Sequence, residues 1–196
     1  MPFPDEPSTA TVVDHRPEWR QEFEVIAAQV ARALGGVALA VDHVGSTSVP
    51  GLAAKDCVDV QVRVARIDEV RVTRLFGAIG FRLRPEPWNR SETSSGQECR
   101  KLVFAPPVGA RRCNVHVRED GGAGARLALL FRDYLRADPV ARAAWGDFKR
   151  RLAGSVPDLL ANGQIKAPAT VVLMRAAERW AGATGWSPPA ARPVGH

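Results

Sequence analysis

The chain has 196 residues, a size that suits one α/β domain, alone or with a small helical annex, and that can bury a real core. A content of 45% hydrophobic and 24% charged residues excludes long disorder, a collagen-like repeat and a disulfide scaffold. The net charge of +6 rests on 23 arginines against four lysines, an excess that suits anionic ligands because guanidinium pairs phosphate bidentately, although Arg- and Ala-rich composition also follows codon usage.

No apolar run reaches the roughly 18–20 residues of a membrane span. The start, MPFPDEPSTATVVDHRPEW, lacks the basic and apolar regions of a secretory signal. The expectation is a soluble, cytoplasmic protein with no membrane partner. The three cysteines form no C-x-x-C spacing, which argues against a zinc or redox motif. Cys99 and Cys113 are expected on neighbouring strands, reduced in a cytosolic setting.

The Pro- and Thr-rich residues 1–16 read as an irregular lead-in. Pro17 suits the first position of a helix in which Trp19, Phe23, Ile26, Val30 and Leu34 recur at helical spacing. Gly35-Gly36 stops that helix, and Val37, Leu39 and Val41 alternate as a strand running to Val44. A turn-rich segment follows. Val58, Val60, Val62 and Val64 then alternate strictly, so the same strand displays Asp59, Gln61 and Arg63 on its other face. Asp68 caps a helix over Glu69 to Ile79, with Leu75, Phe76 and Ile79 inward. Gly80 ends it, and Phe81-Arg-Leu-Arg opens another strand.

Residues 85–97 read as a polar, mobile loop. Arg100–Phe104 and Arg111–Val117 form a hairpin around PPVGA, and GGAG at 121–124 reads as a linker. Helices are expected over Ala125–Ala137, from the Asp138-Pro139 cap to about Ala153, and over Ala169–Trp180. The organisation expected is a lead-in (1–16), an α/β core (17–120), a helical C-terminal part packed on that core (125–182) and a flexible tail (183–196). The fold class is mixed α/β, or α+β.

The strongest chemical signal lies between His43 and Gln61. A strand delivers Gly45-Ser46 into a loop, where backbone N–H groups and a hydroxyl can approach a phosphate closely. Lys55 adds a charge nearby, and the next strand displays Asp59. An acid two residues from a second polar group on one strand face is a way to hold Mg²⁺ or Mn²⁺, whose remaining ligands come from water and substrate phosphates. A Gly/Pro turn with a lone edge Asp explains the same residues without chemistry. His43 is open to phosphate contact or to a hydrogen bond within the sheet. His116 shares a face with Asn114 and Arg118 and is open to metal, base or donor roles. Lys149 sits in a basic helical stretch that solvent would also explain.

HVGSTSVPGLAAKDCVDV at 43–60 resembles the signature of the GrpB family, usually close to HIGSTSVPGLAAKPIIDI. FRDYLRADPVARAAWGDFKRRLA at 131–153 and IKAPA at 165–169 resemble that family's helical segment and closing lysine motif. The family is similar to the nucleotidyltransferase superfamily. The resemblance therefore implies a mixed sheet with flanking helices, and transfer of a nucleotidyl group from a nucleoside triphosphate to a small-molecule acceptor, or a related ATP-dependent ligation. It implies a phosphate-binding turn at Gly45 and Ser46, extended here to His43, Thr47, Ser48, Lys55, Arg111 and Lys149. It implies Asp59 and Gln61 as metal-site positions, with Asp59, His116 and Lys166 as catalytic candidates. Lys166 is expected in a loop before Pro168.

Departures from the pattern are part of the reading. Gln61 stands where a second carboxylate is expected, and a two-metal site needs carboxylates to balance its ions. Cys113-Asn-Val-His-Val replaces a His-rich strand, and Lys101-Leu102 replace paired phenylalanines. A non-catalytic nucleotide- or small-ligand-binding module with a degraded metal site is the alternative. RNA binding through the arginine surface ranks last, because no aromatic–basic stacking motif supports it.

Overall fold

The computed structural model describes residues 3–94 and 96–191. Among these residues five α-helices flank one six-stranded mixed sheet: α1 (Glu18–Leu34), β1 (Ala40–Val44), β2 (Val58–Val64), α2 (Glu69–Gly77), β3 (Arg82–Leu83), β4 (Ser91–Ser94), β5 (Gln97–Ala105), β6 (Cys113–Glu119), α3 (Ala123–Ala137), α4 (Pro139–Ser155) and α5 (Leu159–Thr184). The order is β1-β2-β6-β5-β3, with β4 paired to β5. Among the described residues only β2 and β6 run parallel, which sets Asp59 beside Asn114 and Gln61 beside His116.

The alternation in β2 decides the register. Val58, Val60, Val62 and Val64 are all fully buried among Trp19, Val30, Phe76, Phe104, Val115 and Val117, under α1 and α2. Each buried valine is worth about 1.5–3 kcal/mol, and a one-residue slip would drive Asp59, Gln61 and Arg63 into this apolar cluster in their place. The opposite face is covered as well. There a second cluster joins Val49 and Leu52 to Leu130, Tyr134, Leu135, Trp145 and Met174 of the last three helices. The 45–52 turn is thus wedged between the sheet and the helical layer.

Several expectations are corrected. Pro17 is the cap before α1, and β1 begins at Ala40 because Gly35–Val37 form a 3₁₀ turn. The loop over 85–97 contains β4, hydrogen-bonded to β5 as a hairpin; residue 95 lies outside the described residues. Gly121–Gly124 is not a linker. Gly122 caps α3, and a Cβ at Gly124 would stand 2.3 Å from Glu92 Oε1, so the absence of a side chain lets α3 settle onto β4. Cys99 and Cys113 do lie on neighbouring strands, but their register partners differ, and all three cysteines are free.

The largest correction concerns α5, which is one 26-residue helix that contains Pro168. Asp158 caps it by accepting from the Ala161 N–H at 2.8 Å. A proline lacks an N–H and crowds the carbonyl four residues back, so it normally ends a helix. Here the helix nevertheless continues through it, and the Thr170 hydroxyl donates to the Lys166 carbonyl at 3.0 Å. Lys166 is therefore helical, not in a loop.

The lead-in is irregular but tied down. Asp5 and Glu6 form ion pairs with Arg82 and Arg84, Ala10 N–H donates to the Pro157 carbonyl, and Val13 bridges to Ala54. At the other end Trp186 donates to Asp133, and the Pro189 carbonyl accepts from Arg63. Residues 192–196 of the expected tail lie outside the described residues.

Candidate phosphate-binding cleft

Gly45 ends β1 at φ 68° and ψ −169°, a region essentially open to glycine alone. The chain then turns through Ser46–Ser48, pinned by the Ser48 hydroxyl donating to the Gly45 carbonyl at 2.6 Å. A Cβ on Gly45 would lie 2.4 Å from Asp59 Oδ2. The turn and the acid are thus in direct contact.

A cleft of about 190 Å³ opens beside this contact. Ser46, Thr47, Lys55, Asp59, Lys149 and Lys166 line it, with Asn114 and Asn162. Three lysines from three segments thus face one carboxylate. Lys149, on α4, donates to Ser46 Oγ at 2.9 Å and to the Ala53 carbonyl. Burial, together with Lys166 and Lys55, pushes its amine down to about 7. Burial and Lys55 push Lys166 down to about 8.

Burial works to raise the Asp59 pKa, but His116, Asn114 and Lys166 outweigh it and hold the carboxyl below its ordinary value. Asn114 Nδ2 donates to Asp59 Oδ1 at 3.3 Å, and His116 Nε2 stands 3.6 Å from the same oxygen. Burial, with Arg118 and Lys101, holds His116 low, so the ring is neutral beside Asp59. The His116 Nδ1 is buried without a partner.

The remaining site residues separate. Thr47 sits at the cleft wall, and its hydroxyl contacts His43 Nε2 at 3.0 Å. His43 stacks on Phe23 with ring centroids 4.5 Å apart. Burial, then Arg136 and Arg132, push it down to about 4, so it is a neutral sheet residue facing away from the lysines. Ser48 also turns to that side. Arg111 is held by Asp56 and by Glu22, the latter at 2.7 Å, and ties β6 to α1 instead of entering the cleft.

Gln61 is fully buried and does not reach the cleft. Its amide nitrogen donates to Asp42 at 3.4 Å and to the Ala125 carbonyl at 3.3 Å. Its oxygen accepts from Arg118 Nη1 at 3.1 Å. Arg118 is itself paired to Glu92. The metal role expected of Gln61 fails because α3 covers this part of the strand face and a guanidinium occupies the only donor atom. Among the described residues, no three His, Cys, Asp or Glu side chains converge to hold a metal ion. Asp59 alone, facing three ammonium groups, does not fit the divalent cation that the resemblance implies.

Asn114 and Arg118 were passed over as site-shaping residues. The signal available was their shared face with His116, but which strand lies alongside was not readable. No described helix is long and apolar enough to cross a membrane.

The chain is 37% identical over 194 residues to a dephospho-CoA kinase of Mycolicibacterium paratuberculosis, covering 88% of this chain and 47% of that protein. The chain thus spans about half the length of that relative. It is 40% identical over 142 residues to UPF0157 protein SCO7215 of Streptomyces coelicolor, covering 71% of this chain and 68% of that one. The crystal structure of the conserved protein GrpB from Enterococcus faecalis superposes with a TM-score of 0.72 at 28% identity, over 87% of this chain and 99% of that chain. The family profile described as GrpB protein matches residues 9–166. The chain belongs to the GrpB family.

Proposed function

We propose that the cleft binds the phosphate chain of a nucleoside triphosphate, with lysines in place of a metal. The observation that carries this reading is the convergence of Lys55, Lys149 and Lys166 on the Gly45-Ser46 turn, beside a single carboxylate. Ammonium groups act as point charges toward phosphate, and backbone N–H groups of a tight turn add directed donors. The geometry favours a binding module in which the acid pair of a metal site has been lost to the Gln61–Arg118 contact.

A second reading, nucleotidyl transfer to a small acceptor, is favoured by one observation. Asp59 sits beside a neutral His116 and near the Lys149 amine, which titrates close to 7. An amine of that kind can take and return a proton near neutral pH. In that reading Asp59 and His116 would orient the acceptor, while Lys149 and Lys166 would neutralise charge developing on the phosphates.

Calorimetric titration with ATP, GTP, CTP and UTP, each with Mg²⁺ and with EDTA, separates these readings. The expected result is binding that persists in EDTA, is lost in Lys55→Met/Lys166→Met and is kept or tightened in Asp59→Asn, which removes the carboxylate from the described lining of the cleft. Binding that needs Mg²⁺ and disappears in Asp59→Asn would favour transfer and would overturn the metal-free site. No binding of any triphosphate would sink both readings. Lys149 is left intact because removing it strands Ser46 Oγ and the Ala53 carbonyl.

The lysines also set a pH dependence. Their amines lose charge as pH rises through about 7 and about 8 in the free protein. A bound phosphate favours the charged forms, so affinity is expected to fall at least ten-fold between pH 6.5 and pH 9, with proton uptake on binding near pH 8. Titrations in buffers of different ionisation enthalpy measure that uptake. A flat profile would show that these amines do not meet the ligand.

A further inference from the structure

A second cavity, of about 710 Å³, lies on the other side of the 43–48 turn, between α1, the edge strand β1 and the start of the helical layer. Thr47 lines both cavities, and the His43–Thr47 contact forms part of the wall between them. The volume falls in the range of small-molecule sites.

Four arginines and two acids line it: Arg20 pairs with the lining Glu24 and Arg132 with Asp133, the lining Asp42 is taken by Arg63, and Arg136 and Arg142 are held differently. Most other arginines with recorded side-chain partners are tied to carboxylates: Arg63 to Asp42 and Asp120, Arg84 to Glu6, Arg118 to Glu92, Arg126 to Glu178. Arg136 and Arg142 are held by main-chain carbonyls instead. Arg136 donates from Nε and Nη2 to the Ser48 carbonyl, at 3.1 and 2.7 Å. Arg142 donates from Nη1 to the carbonyls of Leu135 and Arg136, both at 3.2 Å. The nearest acid to Arg136 is Asp133, 3.9 Å away and already paired with Arg132 at 2.7 Å. Carbonyls fix a guanidinium in place without cancelling its charge, so these two groups are pre-oriented and electrostatically unspent. The field of Arg136 reaches His43, whose ring Arg136 and Arg132 help to keep neutral after burial has done most of the work.

We propose that this cavity is a second anion site, independent of the lysine cleft, taking a small molecule with two acidic groups that bridge Arg136 and Arg142. Phosphate and carboxylate share the chemistry that a guanidinium fork recognises, and the test distinguishes them. The probes are inorganic pyrophosphate and citrate, titrated calorimetrically into the full chain carrying Lys55→Met/Lys166→Met, which silences the cleft. One equivalent of at least one probe is expected to bind, with affinity at least ten-fold lower after Arg142→Met and partly restored by Arg142→Lys. Preference for pyrophosphate identifies a phosphate ligand, preference for citrate a carboxylate. Should Arg142→Met fold poorly, phenylglyoxal labelling of the parent protein, mapped by mass spectrometry, is expected to show Arg136 and Arg142 protected by the bound probe. Loss of all binding in the lysine double variant, or unchanged binding in a stable Arg142→Met, would overturn the proposal, as would labelling that the probe does not slow.

Discussion

A Gly45→Ala variant is expected to melt about 5–10 °C below the parent protein and to lose triphosphate binding. Two costs add at this position. The backbone at φ 68° and ψ −169° is one that a side chain strains by about 1–3 kcal/mol. The new methyl would also stand 2.4 Å from Asp59 Oδ2 and 2.9 Å from Asp59 Cβ, so the turn or the strand must move. For a chain of this size each kcal/mol shifts the melting point by about 2–4 °C. Gly35→Ala is the control: its φ is 52°, but nothing lies within 4 Å of an added Cβ. Gly35→Ala is expected to pay the backbone cost and leave binding intact. If Gly45→Ala melts within a degree of the parent and binds equally well, the Gly45–Asp59 contact does not organise the cleft.

Gln61→Glu is expected to destabilise the protein by about 2–3 kcal/mol at pH 8, not to rebuild a metal site. One carboxylate oxygen would keep Arg118, but the other would face Asp42 Oδ2 and the Ala125 carbonyl, where the amide now donates. Three acceptors with no proton between them favour the protonated acid, so the folded pKa of the new group rises above its unfolded value near 4.3. The deficit is therefore complete above that raised pKa and shrinks as pH falls through it. Urea unfolding at pH 5 and pH 8, compared with Gln61→Met, measures this. A stable Gln61→Glu protein that binds Mg²⁺ tightly would show that the strand face opens to the cleft.

The sheet was legible where one period dominated. Four valines at alternate positions specified β2, and the Asp68 and Asp138 caps specified the starts of α2 and α4. The β4–β5 hairpin was hidden because Ser91–Ser94 is polar on both faces and carries no period-2 apolar signal. α5 was cut short because a proline outweighs local propensity in a sequence reading, while in the fold the helix already starts at the Asp158 cap and runs through Pro168.

The site divided along the same line. Gly45, Ser46 and Asp59 lie on adjacent elements, and their proximity followed from strand–turn–strand connectivity. That Lys149 and Lys166 would meet them depends on how α4 and α5 lie over the sheet, which no local pattern encodes. Gln61 was misplaced for the complementary reason. Alternation set it on the face of Asp59, but not under α3.

The lead-in segment has a consequence for how the molecule comes apart. Within about a dozen residues it grips the far sheet edge at Arg82 and Arg84, the join between α4 and α5 at Pro157, and the wedged turn at Ala54. The helical layer cannot peel from the sheet without breaking this lacing, and the sheet edge cannot fray without slackening it. Heat or denaturant thus meets both apolar clusters as a single cooperative unit, one transition in place of two.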